Sequence, residues 1–233
     1  MLFNFWKYNK SKMNFSDLKP IDLDKIELID FPEDQYFPET FAKKQIVLHH
    51  TVSGPDVRGD IETWLKDTRR IATCIIIDGK GVPHQLFSSK YWAGHLGAGN
   101  SNLDRHSIGV EIDNWGWLQP ANYVTEKMQW KTFYGNIVDV EVQEYPKLFR
   151  DYRYYQKYNE LQLRTLGELL LYWNQRYNIP LDYNEDMWDV SPKALSGVPG
   201  VWTHTSYRPK PDKTDCHPQP DLINLLKTLR NLI

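Results

Sequence analysis

Apolar and polar positions alternate along this chain in blocks that can be read as elements. Ile46-Val47-Leu48 is an apolar run ending in His49-His50-Thr51, and it predicts a buried strand at about 45–50. Gly54-Pro55-Asp56 predicts a turn, and Ile61, Trp64, Leu65 and Thr68 follow at helical spacing, giving a short helix at about 57–68. Thr73–Asp78 is a continuous apolar strand. Asp78-Gly79-Lys80-Gly81 makes a hairpin turn, and Val82–Phe87 returns as its partner. A glycine-rich loop spans Trp92–Asn100. Ser107–Ile112 is the next strand, with Gly109 allowing a close backbone approach. From about 155 to 177, Leu163, Leu166, Leu170, Trp173 and Tyr177 share one helical face, and Pro180 ends the run. Residues 182–200 read as loop and Val201–His204 as a last strand. Asp221 then opens a helix carrying Leu222, Leu225, Leu226, Leu229 and Leu232 on its inner side, its start set by Pro218 and Pro220.

Two stretches resist this pattern. Residues 1–40 are polar, with Pro20, Pro32 and Pro38, and read as an N-terminal arm wrapped on the domain and disordered in parts. Residues 115–155 are rich in Trp, Tyr and Val, with short strands near 132–143. They read as an insertion between a strand and a helix within one domain spanning 41–233. Because strands alternate with helices elsewhere, the fold class is α/β or α+β: a single domain with a central mixed sheet flanked by helices.

Composition narrows the function classes. The chain has 233 residues, enough for one sizeable core, and a formal net charge of -2, so no basic excess points to nucleic acid or an anionic membrane. No run approaches the ~18 apolar residues of a membrane span. Met1–Lys10 contains no apolar core of signal-peptide length. With only Cys74 and Cys216, a disulfide framework is not expected; Cys74 lies in an apolar run and reads as a buried strand residue. The 9 Trp and 14 Tyr read mostly as packing, and more sharply as a groove for sugar or peptide.

Candidate chemistry gathers at the two ends of the domain. Neighbouring side chains in a strand point to opposite faces, so only one of His49 and His50 can face a given site. His204 stands at a strand end, with Lys213, Asp215 and Cys216 within a dozen residues of it. Zinc takes imidazole, carboxylate or thiolate, and catalytic zinc keeps three protein ligands and one open position. Two histidines with one acid or thiol meet that requirement.

Five segments occur in an order that resembles a known family. They are Ile46–Thr51, Ile76–Phe87, Tyr91-Trp92-Ala93-Gly94, Asn102 with Ser107–Ile112, and Lys213-Thr214-Asp215. They are similar to the zinc-dependent N-acetylmuramoyl-L-alanine amidases of the type 2 family, which includes amidase-type phage lysozymes, amidases for anhydro-muropeptides and peptidoglycan recognition proteins. The resemblance runs from about residue 41 to the C-terminus, leaving out 115–155. It implies a mixed sheet flanked by helices, an open groove holding one Zn2+, and cleavage of the amide between N-acetylmuramic acid and L-alanine of the stem peptide.

Carried onto this chain, the family pattern makes His49 and His204 zinc ligands. Asp215 is the third, with Cys216 as the alternative one residue later. Glu111 matches the strand glutamate that acts as base, and Lys213 the lysine that stabilises the oxyanion. Trp92, His95 and Asn102 fall where substrate is contacted, although Trp92 is followed by Ala93 where relatives often have histidine. His50, His84, His106 and His217 receive no catalytic role. The implied partner is peptidoglycan or a muropeptide, met by a monomer. The absence of a signal peptide fits a lysin released through membrane holes or a cytoplasmic recycling enzyme. The rivals are a peptidoglycan-binding module of the same fold that does not cut, and a structural or regulatory protein that keeps only the fold.

Overall fold

The computed structural model describes residues 13–124 and 127–233. Residues 1–12, the stretch on which the signal-peptide expectation rests, lie outside the described residues. The core is a mixed sheet. Its strands are β1 (Glu27–Leu28), β2 (Gln45–His50), β3 (Ile75–Ile77), β4 (Pro83–Gln85), β5 (Ser107–Ile112) and a last strand, Gly200–Thr203. In space the order is β1-β4-β3-β5-β2 and then Gly200–Thr203 at the edge. Neighbours are parallel except for the β3–β4 hairpin. Strand β2 is buried at every position, which explains its unbroken Ile46-Val47-Leu48 run.

The hairpin turn is held by Asp78, whose Oδ1 accepts from the backbone N–H of Lys80 and of Val82, 2.8 Å each. Gly81 completes it at φ 80°, where a side chain would also meet the backbone of Leu161 at 2.8 Å.

Helices cover the sheet. After α1 (Val57–Leu65) and the short α2 (Ser101–Arg105) comes the long α3 (Glu160–Tyr177). Asn159 and Gln162 form a capping box at its start, and Asn178 at φ 55° ends it just before Pro180. Leu163, Leu166, Leu170 and Trp173 are buried as their spacing predicts. The helix begins at residue 160, not 155, because Tyr152–Gln156 is strand. The predicted 182–200 loop contains a 3-10 turn, Glu185–Trp188, and one turn of α-helix, α4 (Pro192–Leu195). The C-terminal α5 (Pro220–Leu229) packs on α3 at Gly167, where an added Cβ would lie 2.8 Å from Leu225. Residues 13–40 lie along this body. Phe15, Leu18, Ile21, Ile26 and Phe31 are buried, and Met13 is tied to α5 by the Asn224 side-chain amide. No helix among the described residues is long and apolar enough to cross a membrane.

The stretch after β5 forms a sheet of its own. Its strands are β6 (Trp117–Val124), β7 (Lys127–Lys131), β8 (Ile137–Val138), β9 (Val142–Phe149) and β10 (Tyr152–Gln156), antiparallel in the order β8-β7-β6-β10-β9. The edge strand Gly200–Thr203 of the main sheet is then β11. The second sheet is clamped to the loop after β11 at two points. Buried Arg150, between β9 and β10, donates to the carbonyls of Thr205 (2.8 Å) and Arg208 (2.9 Å) and to Asp189. His217 stacks between Tyr155 and Tyr158 and is hydrogen-bonded to Tyr145 Oη at 2.7 Å and to the Gln156 carbonyl.

Candidate metal and catalytic site

Parallel pairing sets the site at the C-terminal ends of β2, β5 and β11. In the β2–β5 register His49 lies opposite Glu111, so the two side chains leave the sheet on one face. His50 leaves on the other, where its Nδ1 meets Tyr158 Oη at 2.8 Å. On the remaining side, β11 ends at Thr203 and a 3-10 turn begins at His204. Thr205 N–H donates to the Asp215 carbonyl, and this backbone bond brings the two ends of the following loop together.

His49, His204 and Asp215 converge here. His49 Nδ1 lies 2.9 Å from His204 Nδ1 and 3.3 Å from Asp215 Oδ2, and His204 Nδ1 lies 3.0 Å from the same oxygen. All three residues are buried, and among the described residues this is the cluster whose geometry could hold a metal ion. Glu111, Lys213 and His95 line the same cavity, which measures about 390 Å³. Cys216 does not join them. It is fully buried, and burial pushes its pKa well above the ordinary value, away from the thiolate a metal needs.

The protons on the two histidines follow from their outer partners. His204 Nε2 lies 3.0 Å from the carbonyl of Leu96, which can only accept, so a hydrogen is on Nε2 and Nδ1 is the nitrogen turned toward His49 and Asp215. For His49 the assignment runs through a relay. Ser107 Oγ donates to the Leu103 carbonyl at 2.8 Å, so it accepts from His95 Nε2, also at 2.8 Å. His95, kept neutral by burial, then has a bare Nδ1 that accepts from His49 Nε2–H at 3.0 Å. His49 Nδ1 is left as a lone pair.

Asp104 fixes the loop carrying these partners, its Oδ1 accepting from the N–H of His95 and of Leu96. Gly109 makes the room that its sequence position foreshadows: a Cβ there would sit 3.0 Å from His95 Nδ1.

Burial, reinforced by the His204 ring and only partly opposed by Asp215, lowers the His49 pKa to about 4. Burial works against ionised Asp215, but the His204 and His49 rings outweigh it and hold its carboxyl well below the usual range. Two imidazole Nδ1 atoms and a carboxylate oxygen therefore converge on one point, an arrangement that a cation at its centre satisfies in place of a shared hydrogen. Their 2.9–3.3 Å separations suit donors bonded at about 2.0–2.1 Å to one ion, and the N,N,O set suits zinc.

Beside them, burial first and then Asp215 and Asp60 push the Glu111 pKa well up, and its buried Oε2 lacks a hydrogen-bond partner. A carboxylate in that condition takes a proton readily.

Two other sequence candidates stand elsewhere. Trp92 is buried against Phe37 of the N-terminal segment, ring centroids 4.0 Å apart, with its indole N–H on Glu39. Asn102 is exposed on α2. Neither lines the cavity. The remaining histidines have structural partners: His84 with Glu27 and Asp78, His106 with the Ala42 carbonyl. The sequence reading missed Ser107 and the aromatic lining from the second sheet, Trp117, Phe133, Tyr134 and Tyr152. The only signal for these was the general aromatic richness.

Comparison with known proteins agrees with this geometry. A family model described as N-acetylmuramoyl-L-alanine amidase matches residues 40–220. Among solved structures, PlyL is similar at 16% identity over 87% of this chain and 96% of that one, with a TM-score of 0.50. The PlyG catalytic domain is similar at 16% identity over 88% and 93%, with a TM-score of 0.52. The catalytic domain of XlyA is similar at 15% identity over 88% and 98%, with a TM-score of 0.50. At these identities the likeness is one of fold. A search of curated protein sequences finds no match.

Proposed function

The chain belongs to the N-acetylmuramoyl-L-alanine amidase family, enzymes that cut peptidoglycan between N-acetylmuramic acid and the L-alanine of the stem peptide; we propose that here His49, His204 and Asp215 hold one zinc ion and that Glu111 and Lys213 carry the chemistry. The observation behind this reading is the convergence of three buried ligand atoms beside a carboxylate with an unsatisfied oxygen. A zinc ion held there would supply a Lewis acid for the amide carbonyl and would lower the pKa of water to about 7.

The protein's own groups do the rest. Glu111, with its raised proton affinity, takes a proton from the attacking water and gives it to the departing alanine nitrogen. Lys213 lines the same cavity and places a cation near the oxygen on which charge develops. His95 and Ser107 act one step back, holding His49 in the tautomer that presents Nδ1 inward. Asp215 is preferred over Cys216 as third ligand because its oxygen lies within 3.3 Å of both histidine nitrogens. Every group named comes from one chain, so a monomer suffices.

The competing reading is a module that binds wall without cutting it. Dye release from labelled cell walls separates the two: activity is expected, with complete loss on chelation and recovery when zinc is returned. Undiminished release by zinc-free protein would remove the metal from the account, and absence of release by zinc-loaded protein would favour the binding module.

A further inference from the structure

The second sheet puts an aromatic surface on one side of the catalytic cavity. Trp117 of β6 and Tyr152 of β10 stack face to face, centroids 4.1 Å apart and planes 9° from parallel. Phe133 meets Trp117 edge-on at 5.7 Å, and Tyr134 meets Phe133 edge-on at 5.0 Å. All four line the cavity that holds His49, Glu111 and Lys213.

Phe133 and Tyr134 sit at the tip of the β7–β8 hairpin and are 57% and 67% exposed. Rings this open contribute little to the core, so folding alone does not explain them. Their presentation is nevertheless fixed. Thr132 N–H donates to the Asn136 carbonyl (2.9 Å), Thr132 Oγ1 accepts from Asn136 N–H (3.1 Å), and Gly135 N–H donates to the Thr132 carbonyl (3.0 Å). Gly135 adopts φ 85°, which glycine tolerates best. The sheet itself is clamped by Arg150 and His217 to the loop between His204 and Asp215 and the residues just after it. The wall and the loop that carries part of the candidate metal site are thus tied together by direct hydrogen bonds.

We propose that this wall binds sugar rings of the glycan strand next to the amide that is cut; the proposal rests on the amidase reading and adds a subsite to it. The wall is continuous with the cavity, so a substrate held there extends onto it. Its four side chains carry no charge, which suits the uncharged C–H face of a pyranose better than a stem peptide bearing carboxylates. Such a face places its slightly positive hydrogens on the negative ring surface. The cation of the cavity, Lys213, comes from the C-terminal loop and not from this wall.

The test compares the full zinc-loaded chain with a Phe133→Ala/Tyr134→Ala variant; both positions are exposed, so the fold is expected to persist. Peptide-free strands of alternating N-acetylglucosamine and N-acetylmuramic acid are titrated calorimetrically, and hydrolysis is followed on whole wall and on a single N-acetylmuramoyl peptide. The variant is expected to bind the strands about tenfold more weakly and to show a matching rise in KM on wall. The fall in its kcat/KM on the single muramoyl peptide should be smaller than on wall, because that substrate offers one sugar ring to the surface where the strand offers several. The proposal fails if the original chain does not bind the strands, if the variant binds them equally well, or if both substrates suffer alike. A failure of the amidase reading looks different: the original chain cuts neither substrate, while the titration still decides whether the wall holds sugar.

Discussion

Replacing Glu111 with glutamine is expected to lower turnover by about 10²- to 10⁴-fold while zinc binding is unchanged. The reason lies in what surrounds the carboxylate. It stands opposite His49 in the strand register, its Oε2 is buried without a partner, and burial with the Asp215 charge raises its proton affinity. Glutamine keeps the shape but cannot accept and return a proton. Because Glu111 lies outside the trio of converging donors, metal content should not change. Dye release from labelled wall and metal analysis on one sample make the check; a variant that lyses wall near the original rate shows that some other group is the base.

Removing an inner donor should act on the metal first. His204→Ala deletes one of the three donors and leaves the buried Asp215 carboxylate with only His49 beside it. Zinc affinity should fall well beyond the roughly 10- to 100-fold that loss of an outer hydrogen-bond partner costs. His95→Ala supplies that smaller effect, about 10- to 100-fold, by freeing the His49 ring to turn and to change tautomer. His95→Gln, whose amide offers one acceptor and one donor, should recover part of the loss. Competition with a chromophoric chelator reads the series without reference to turnover. Stoichiometric zinc retained by His204→Ala would end its role as ligand, and unchanged affinity in His95→Ala would reduce the relay to packing.

Much of the main sheet was legible because burial on both faces writes a plain signal. Ile46-Val47-Leu48 and Ile75-Ile76-Ile77 are apolar runs of strand length, and both are buried throughout. Strand alternation was enough to say that one histidine of the pair faces away, and His50 does. The partnership of His49, Glu111, His204 and Asp215 was not readable from spacing, since these residues come from separate strands and a distant loop; the family resemblance supplied it.

The second sheet was harder to see for a physical reason. Strand β9 mixes exposed and half-buried positions without strict alternation, and β6 and β9 each carry a proline, Pro120 and Pro146, which normally argues against a strand interior. The His95–Ser107 relay joins a loop to the start of a strand, and no periodicity announces that. Trp92 was placed with the substrate-contacting residues by resemblance, yet Phe37, from a segment outside the resembling region, stacks on it.

The bond proposed to be cut is the amide joining the lactyl group of N-acetylmuramic acid to L-alanine. Mass spectrometry of peptidoglycan digested by the zinc-loaded protein tests this most directly. The expected products are stem peptides with a free alanine amino terminus, together with glycan strands whose lactyl groups end in a carboxylate. New reducing sugar ends, or cuts inside the stem peptide with the muramoyl–alanine bond intact, would contradict it.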